Sequence, residues 1–423
     1  MQAPADSRVE DFATAPVPEA RTVNGWRVAM IVTGFNIALP GFLNGAQIAG
    51  ALGLWQAVLV SALAGVILCA TGCLTAVVSV RTRLTTYLLV QRSFGVSGAG
   101  LINVIMALVH FGWFGVNVSF FGDAMVAATR DVLGIEAGSF AVYVLVGGML
   151  MAVTTIFGFR ALDRLALIAV PILAVIMGVV LWLALRREGL AVEALQAPPE
   201  PMDFGLALST LVGSNMMTVA TMPDLTRYVR SGSQAVIGML LSFPFATPLL
   251  MFAAAATSLA MRETDIMRII VGLGLGLPAL LVLILSTWTI NAANLYSASL
   301  SLAATFPRIA QWKFTLLAGA CGSLLAVAGI LDYFVSFLVL LGVIIPPIAA
   351  IYVIDAFFGV SGRGTLRWEA VVTWLASTGI ALMGFVGWFT LTTVPAADAT
   401  LAATLIHGGL VLRSRRQAGP RGG

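Results

Sequence analysis

Long apolar segments are the feature that most limits how this chain can fold. Of its 423 residues, 59% are hydrophobic and only 10% are charged. A membrane-spanning helix needs about 20 apolar residues, and the segments lack the polar–apolar alternation of membrane β-barrel strands. The sequence therefore predicts an all-α polytopic membrane protein. Its twelve predicted transmembrane helices are roughly 26–51, 54–80, 98–128, 138–159, 162–185, 205–223, 234–260, 277–303, 314–330, 333–357, 368–391 and 395–412.

Basic residues are distributed unevenly between the loops that join these spans. With the N-terminus placed inside, only five of the 23 Lys and Arg residues fall in outside loops. Cytoplasmic loops carry an excess of Lys and Arg, so we expect both termini to be cytoplasmic, in a protein of the cell inner (plasma) membrane. The net charge of +4 follows from this loop pattern and does not indicate a nucleic-acid partner. The five outside residues are Arg130, Arg186, Arg187, Arg262 and Arg268.

The segments outside the spans are short and polar. Residues 1–25 are rich in Pro and Ala and lack the basic and apolar regions of a signal peptide. They are predicted to be a disordered cytosolic tail. Residues 26–412 are predicted to form a single transmembrane domain, and residues 413–423 a basic cytosolic tail. All three cysteines fall in apolar spans, which favours small buried hydrophobes over a disulfide or a zinc site.

Two spans contain residues that interrupt helices. Residues 33–45, TGFNIALPGFLNG, hold three glycines, Pro40 and two asparagines inside a membrane-length apolar run. Pro40 removes a backbone donor, and the glycines relax the helix around it. Backbone opened at membrane depth persists only where it is buried in protein or lines a cavity. Residues 209–223, STLVGSNMMTVATMP, have a similar composition, so we expect a second break there.

The two predicted breaks fall in spans 1 and 6, which are five spans apart. An odd offset gives the second group of five helices the opposite topology to the first. That arrangement is typical of transporters with inverted repeats and a binding site near the midplane. The predicted repeats cover about residues 26–185 and about residues 205–357, and two extra helices occupy about residues 368–412.

Span 3 carries a polar stripe. His110, Trp113 and Asn117 are spaced i, i+3 and i+7, so they share one helix face. A tryptophan offers a flat face for a planar ligand, while the imidazole and the amide offer hydrogen bonds to its edge. The alternative is that these polar groups bond neighbouring helices. Asp123 lies about 140° around the helix from His110 and is expected to serve packing or a different network.

Span 8 carries a second stripe in the corresponding helix of the other repeat. Thr287, Asn291 and Asn294 are spaced i, i+4 and i+7 on one face. An asparagine amide both donates and accepts, which suits a ligand with N–H and carbonyl groups. Thr289 faces elsewhere, where its hydroxyl either joins span 1 carbonyls around a cation or bonds its own helix backbone.

A few acidic residues lie at predicted helix ends. Asp332 and Asp355 flank span 10, and an intramembrane acid is a candidate for ion coupling. Acids at helix ends are also commonly solvated. In the loop after span 6, Asp224 precedes Arg227 by three residues. That pair is interpreted as a solvated turn, with an intracellular gate or salt bridge as the alternative.

Several separated motifs resemble one transporter family. They are LTTYLLVQRSFGV after span 2, FGWFGVN in span 3, PDLTRYVR after span 6, WTINAANLYSAS in span 8 and IIPPIAAIYVIDAFF in span 10. Together they resemble the nucleobase–cation symporter-1 (purine/cytosine permease) family, and within it the cytosine-permease-like branch. The resemblance implies a twelve-helix leucine-transporter-type fold with two inverted five-helix repeats. It also implies symport of a nucleobase or related ring with Na⁺ or H⁺ by alternating access.

The resemblance also implies roles for individual residues. Trp113 matches the family's span 3 tryptophan, which stacks on the ligand ring. His110 stands where cytosine permeases carry a glutamine, and Asn117 stands where hydantoin-type members carry one. The expected substrate-binding residues are Ala38, His110, Trp113, Asn117, Ser214, Asn215, Asn291 and Asn294.

A cation site is implied in the same way. The backbone carbonyls of Gly34 and Ile37, with the hydroxyl of Thr289, match the family's cation-binding positions. His110 leaves a second mode of coupling open, because an imidazole with an ordinary pKa near 6.5 can carry a proton. The resemblance implies no bound cofactor, only the transported Na⁺ or H⁺.

The chain departs from the family pattern at two positions. Asn215, beside Ser214, stands where the span 6 break usually presents an aromatic residue to the other face of the ligand. A lost aromatic contact is worth roughly 0.5–1.5 kcal/mol beyond burial. Ala292 stands where the cytosine branch has an acid. The ligand is therefore expected to be a cytosine-like pyrimidine, a purine or a hydantoin-type ring. Residues that can replace the missing aromatic wall are Phe35, Phe42, Met216 and Met217.

The functional hypothesis is a secondary active importer of a small planar nitrogen heterocycle, with the lipid bilayer and the coupling cation as its other partners. An amino-acid or other small-solute symporter on the same fold is the closest alternative. A channel would need a continuous polar pore. A membrane-embedded enzyme would need paired carboxylates, a His/Cys metal set or a Ser–His arrangement, and the chain has only two histidines. A monomer suffices for this function, and no dimer surface is predicted.

Overall fold

The computed structural model of the protein describes residues 12–37, 39–131, 134, 138–191, 196, 198, 202–360 and 364–417. Helices form almost all of the regular structure in these residues. They are α1 (Gly25–Asn36), α2 (Leu39–Leu52), α3 (Leu54–Thr82), α4 (Thr86–Asp131), α5 (Phe140–Thr155), α6 (Phe159–Arg187), α7 (Phe204–Ala220), α8 (Pro223–Thr226), α9 (Gly232–Leu240), α10 (Thr247–Met261), α11 (Ile266–Gly272), α12 (Gly276–Thr305), α13 (Gln311–Val327), α14 (Phe334–Phe357), α15 (Trp368–Phe385) and α16 (Pro395–Gln417). A π-helical turn, Leu241–Ala246, joins α9 to α10.

These helices correspond to the predicted spans. Within the described residues, eight helices are long and apolar enough to cross a membrane, or nine if the bent pair α1 and α2 is one span. The shorter apolar helices α5, α13 and α15 occupy the three remaining predicted spans. The protein is therefore a multi-pass helical membrane protein, and its helices are consistent with twelve spans. Span 11 is shorter than predicted because α15 ends at Phe385, and α16 extends as far as Gln417, into the predicted tail.

The two helices that carry the polar stripes lie side by side. α12 packs against α4 more extensively than any other pair of helices does. α4 is interrupted at Gly95, whose φ of 78° separates a short first helix from the long span 3 helix. A Cβ at this position would lie 2.8 Å from the carbonyl oxygen of Thr365. Both the left-handed backbone and the close approach therefore require glycine here.

The segment before α1 is ordered from residue 12, which corrects the predicted disorder. Val17 is only 3% exposed, and its N–H donates to the carbonyl of Arg83 at 3.0 Å. The N–H of Val23 donates to the carbonyl of Tyr228 at 2.6 Å. Asn24 then caps α1 by accepting from the backbone N–H of Trp26, a contact that contributes about 1 kcal/mol. Residues 1–11 lie outside the described part of the chain.

Candidate functional site

A cavity lies where the break between α1 and α2 meets α4, α7 and α12. Together with the solvent space at its mouth, it holds about 840 Å³ that is not filled by atoms. We call it the central cavity. Its polar wall residues are Asn36, Asn44, His110, Ser214, Asn215, Thr218, Thr221, Asn294 and Ser297, and its aromatic residues are Phe35 and Trp113.

The first predicted break forms one wall of the central cavity. α1 ends at Asn36 and α2 begins at Leu39, with a bend of 57° between them. Pro40 stands in the first turn of α2, where its missing N–H costs nothing. A Cβ on Gly41 would lie only 2.5 Å from the carbonyl oxygen of Asn36, so the turn requires glycine. Ala38, a predicted ligand residue, lies outside the described residues.

The second predicted break lies later in the sequence than expected. The helix stays regular through Gly213, Ser214 and Asn215 and ends at Ala220. After Thr221, the short helix α8 begins at Pro223. The glycine and the two polar residues do not open the helix, because their side chains bond within it. The hydroxyl of Ser214 and the amide of Asn215 both donate to the carbonyl of Leu211, at 3.1 Å each.

Span 3 places two of its three stripe residues at the central cavity. His110 is 4% exposed and Trp113 is 8% exposed, and both line the wall. The indole of Trp113 also meets the ring of Phe337 edge to face, with centroids 5.7 Å apart. Asn117 does not reach the cavity, because it stands roughly 10 Å further along the helix axis than His110. Its amide instead donates to the carbonyl of Trp113 at 2.7 Å.

Span 8 presents a different face to the central cavity from the one predicted. The lining residues are Ile290, Ala293, Asn294 and Ser297, which are spaced i, i+3, i+4 and i+7. Of the predicted stripe, only Asn294 belongs to this face. Asn291 is fully buried on another side, with its amide nitrogen 3.4 Å from the sulfur of Met151. Thr287 and Ala292 are buried and also lie outside the lining.

Two polar atoms at the central cavity are buried without hydrogen-bond partners of ordinary geometry among the described residues. They are Nδ1 of His110 and Nδ2 of Asn294. The other ring nitrogen of His110, Nε2, lies 3.3 Å from the hydroxyl of Tyr87. A buried polar group without a partner costs about 1–3 kcal/mol. Such groups on a cavity wall are poised to bond a bound molecule.

Span 6 supplies another part of the wall. Ser214, Asn215 and Met217 line the cavity, and Phe35 from α1 is the aromatic residue nearest in sequence to the break. Phe42 lies on a second, smaller cavity beside α10, and Met216 is buried away from both. Of the proposed replacements for the missing aromatic wall, Phe35 and Met217 are therefore the two that reach the central cavity.

Two of the three predicted cation ligands, Gly34 and Thr289, lie close to one another. A Cβ built on Gly34 would lie 3.1 Å from the methyl carbon of Thr289. The hydroxyl of Thr289 donates to its own helix at Leu285, at 2.7 Å, and the carbonyl of Gly34 accepts from the N–H of Ile37 at 3.3 Å. Each of these oxygens keeps a lone pair that can face a cation.

The loop after span 6 is buried, so its interpretation as a solvated turn is wrong. Asp224 and Arg227 are both 0% exposed. The carboxylate of Asp224 accepts from the backbone N–H of Thr86 at 2.9 Å and from the hydroxyl of Ser297 at 3.0 Å. The guanidinium of Arg227 donates to the hydroxyl of Tyr296 at 2.9 Å.

The three other acidic residues singled out in the sequence do not line the central cavity. Asp355 is 1% exposed and binds Arg367 at 2.6 Å and Nε2 of His407 at 2.9 Å, so it ties α14 to α16 and to the residue before α15. Asp332 is exposed, and Asp123 faces an outer cavity between α2, α4 and α11. Among the described residues there is no group of three His, Cys, Asp or Glu side chains that could hold a metal ion.

The chain is similar to proteins of known function over most of its length. Residues 16–406 match the family described as permease for cytosine/purines, uracil, thiamine, allantoin. The chain is 30% identical over 351 residues to a cytosine permease of Escherichia coli O157:H7, a match that covers 82% of this chain and 81% of the relative. It is 23% identical over 371 residues to a hydantoin permease of Microbacterium maritypicum, covering 80% of this chain and 73% of the relative.

The fold also matches a solved structure. The structure of Mhp1, a nucleobase-cation-symport-1 family transporter, in a closed conformation with bromovinylhydantoin bound, has a TM-score of 0.84 at 19% identity. The match covers 97% of each chain. This likeness confirms the predicted fold class, a helical membrane protein with leucine-transporter-type inverted repeats and two extra C-terminal helices.

Proposed function

Because this chain belongs to the family of permeases for cytosine/purines, uracil, thiamine and allantoin, we propose that it imports a nucleobase or a related small nitrogen heterocycle together with Na⁺ or H⁺. The family resemblance predicted from the sequence is thereby confirmed, and a member of a permease family is a transporter and not an enzyme. Transport occurs by alternating access of the central cavity to the two sides of the membrane. The membrane is the inner (plasma) membrane, with both termini in the cytoplasm, as the loop charges favour.

One observation carries the substrate class. The indole of Trp113 stands on the same cavity wall as two buried polar atoms that make no hydrogen bond of ordinary geometry to the described residues, Nδ1 of His110 and Nδ2 of Asn294. A planar ring can stack on the indole while its edge bonds both atoms. A ligand bound in this way gives each of the two buried atoms a hydrogen-bond partner. A heterocycle with adjacent N–H and carbonyl groups fits this set.

The pocket differs from a plain cytosine site. Asn215, in the position of the second aromatic wall, is bonded to its own helix and to Ser214. Ala292, at the position of the cytosine branch's acid, is 4% exposed and lies outside the lining. No carboxylate therefore stands on the described wall to meet an exocyclic amine. Uracil, purines and hydantoins are better candidates than cytosine on this basis.

The region beside the break is the candidate site for Na⁺ if the coupling ion is a metal cation. The carbonyl oxygens of Gly34 and Ile37 and the hydroxyl of Thr289 are the proposed ligands of Na⁺. This assignment is supported by the close packing of Gly34, on α1, against Thr289, on α12. Hard cations prefer such oxygen ligands. A proton is the alternative coupling ion.

Radiolabel competition on the purified protein tests the substrate class. The competitors are cytosine, uracil, purines, hydantoins and amino acids. We expect one class of nitrogen heterocycle to bind, and binding to be abolished by Trp113→Ala without loss of membrane expression. Trp388→Ala, at a tryptophan that is 79% exposed, is the matched control. Binding of an amino acid alone, or normal binding by Trp113→Ala, would reject the assignment.

A further inference from the structure

A buried carboxylate lies one side chain away from the central cavity. Asp224 follows the interruption after α7 and is 0% exposed. One of its oxygens accepts from the backbone N–H of Thr86, and the other accepts from the hydroxyl of Ser297 at 3.0 Å. Ser297 itself lines the central cavity. A single hydroxyl group therefore connects the cavity to this acid.

Ionisable side chains from α4 and α14, and Arg227 just after α8, surround Asp224. Tyr87 of α4 and Tyr352 of α14 both interact electrostatically with its carboxylate. The hydroxyl of Tyr87 also lies 3.3 Å from Nε2 of His110 on the cavity wall. Arg227 stands one turn further along, and its Nε donates to the main-chain oxygen of Asp224 at 3.2 Å. The carboxylate thus belongs to a polar network that reaches the ligand site by two routes.

The position of Asp224 links its charge to the conformation of the bundle. Its two accepted hydrogen bonds join α8 to the first turn of α4 and to α12. Hydrogen bonds to an ionised acceptor are roughly twice as strong as those to a neutral one. Protonation therefore weakens both ties. A charged acid buried in the protein is costly unless it is paired and hydrogen-bonded.

We propose that Asp224 takes up and releases the proton that drives transport, and that Ser297 passes this proton between the central cavity and the carboxylate. A hydronium ion in the cavity gives its proton to Oγ of Ser297 while the serine's own hydroxyl proton moves to Asp224. Serine stays neutral, the carboxylate becomes a carboxylic acid, and water remains. When the bundle opens on the side of the membrane where α8 lies, Asp224 returns the proton to water on that side. This inference rests on the proposed function and selects the proton over Na⁺.

Proteoliposomes separate the two cations. The labelled probe is whichever heterocycle of the competition panel binds the purified protein most tightly. With no sodium present and the inside alkaline, we expect accumulation of up to about tenfold per pH unit for a one-to-one stoichiometry. Asp224→Asn should lose this accumulation but retain exchange of labelled for unlabelled probe, because asparagine has the shape of the protonated acid. Asp332→Asn, at an exposed acid, should accumulate the probe like the unaltered protein.

The serine gives a second variant pair. Ser297→Ala should slow pH-driven accumulation more than exchange, and Ser297→Thr should restore it, because threonine keeps the hydroxyl. A merely structural role would change both rates together. Accumulation driven by a sodium gradient alone and kept by Asp224→Asn would overturn the inference while leaving heterocycle transport standing. Failure of every panel compound to bind or exchange would instead reject the proposed function.

A ligand-free measurement covers the case in which Asp224→Asn loses exchange as well. Infrared difference spectra of the purified protein across pH should contain a carboxylic acid band that disappears in Asp224→Asn and persists in Asp332→Asn. If the pH-dependent carboxyl signal is the same in both variants, Asp224 does not change its protonation state and the inference fails.

Discussion

Replacing Asn294 by leucine separates a ligand-binding role from a structural one. Leucine has the same number and branching of side-chain heavy atoms as asparagine, so the change removes the amide without opening a cavity. In the protein without ligand, Nδ2 of Asn294 is buried and makes no hydrogen bond of ordinary geometry to the described residues. Its removal therefore breaks no hydrogen bond of ordinary geometry within the described protein. We expect the melting temperature of Asn294→Leu to be equal to or higher than that of the unaltered protein.

The effect on affinity should have the opposite sign. In the complex, the ligand is expected to accept from the Asn294 amide, and leucine would leave that ligand group buried without a partner. An unsatisfied buried polar group costs about 1–3 kcal/mol, which corresponds to a roughly 5-fold to 150-fold increase in Kd. Equilibrium binding of the best heterocycle and thermal unfolding of the same preparations measure both quantities.

Asn291→Leu is the matched control, because Asn291 lies one turn earlier on α12 and faces Met151 instead of the central cavity. It should leave Kd unchanged within about twofold, which is below 0.5 kcal/mol. The reasoning is refuted if Asn294→Leu lowers the melting temperature while binding stays intact. That result would identify Asn294 as a packing residue.

Two further changes test the break and the contacts of the extra helices. Gly41→Ala should abolish uptake at normal membrane expression, because the added Cβ would lie 2.5 Å from a main-chain oxygen of α1. The control is Gly50→Ala, which should transport normally because no atom lies within 4 Å of the added Cβ. Equal uptake by both variants would show that the turn tolerates a side chain. Asp355→Asn should lower thermal stability by about 3–5 kcal/mol, because it leaves Arg367 without its carboxylate. The free energy of unfolding is measured for purified Asp355→Asn and for Asp332→Asn, the control at an exposed acid. Equal values would contradict a stabilising role of the buried ion pair.

The helical architecture could be predicted because the bilayer leaves few alternatives. Apolar length and loop charge together located the spans, and the glycines around Pro40 located the first break. The second break could not be located in the same way. Gly213, Ser214 and Asn215 look like helix breakers, yet the two polar side chains bond the preceding turn and keep α7 regular. Composition indicates that a helix can open, whereas local hydrogen bonding decides whether it does.

The site residues were predictable only in part, because spacing defines a helix face but not its direction. His110 and Asn294 reach the central cavity, while Asn117 and Asn291, on the same predicted stripes, do not. Neighbouring helices decide which edge of a stripe meets open space. The burial of Asp224 was missed for a related reason. Its partners come from α4 and α12, which are distant in sequence.

Uptake into proteoliposomes is the most direct test of the central claim. Purified protein is reconstituted, a sodium or proton gradient is imposed, and labelled uracil, hypoxanthine, hydantoin and cytosine are offered in parallel. The account predicts that at least one of them accumulates above its external concentration, and that the accumulation disappears when an ionophore collapses the gradient. Uptake that merely equilibrates in every gradient, or accumulation of amino acids in place of heterocycles, would contradict it.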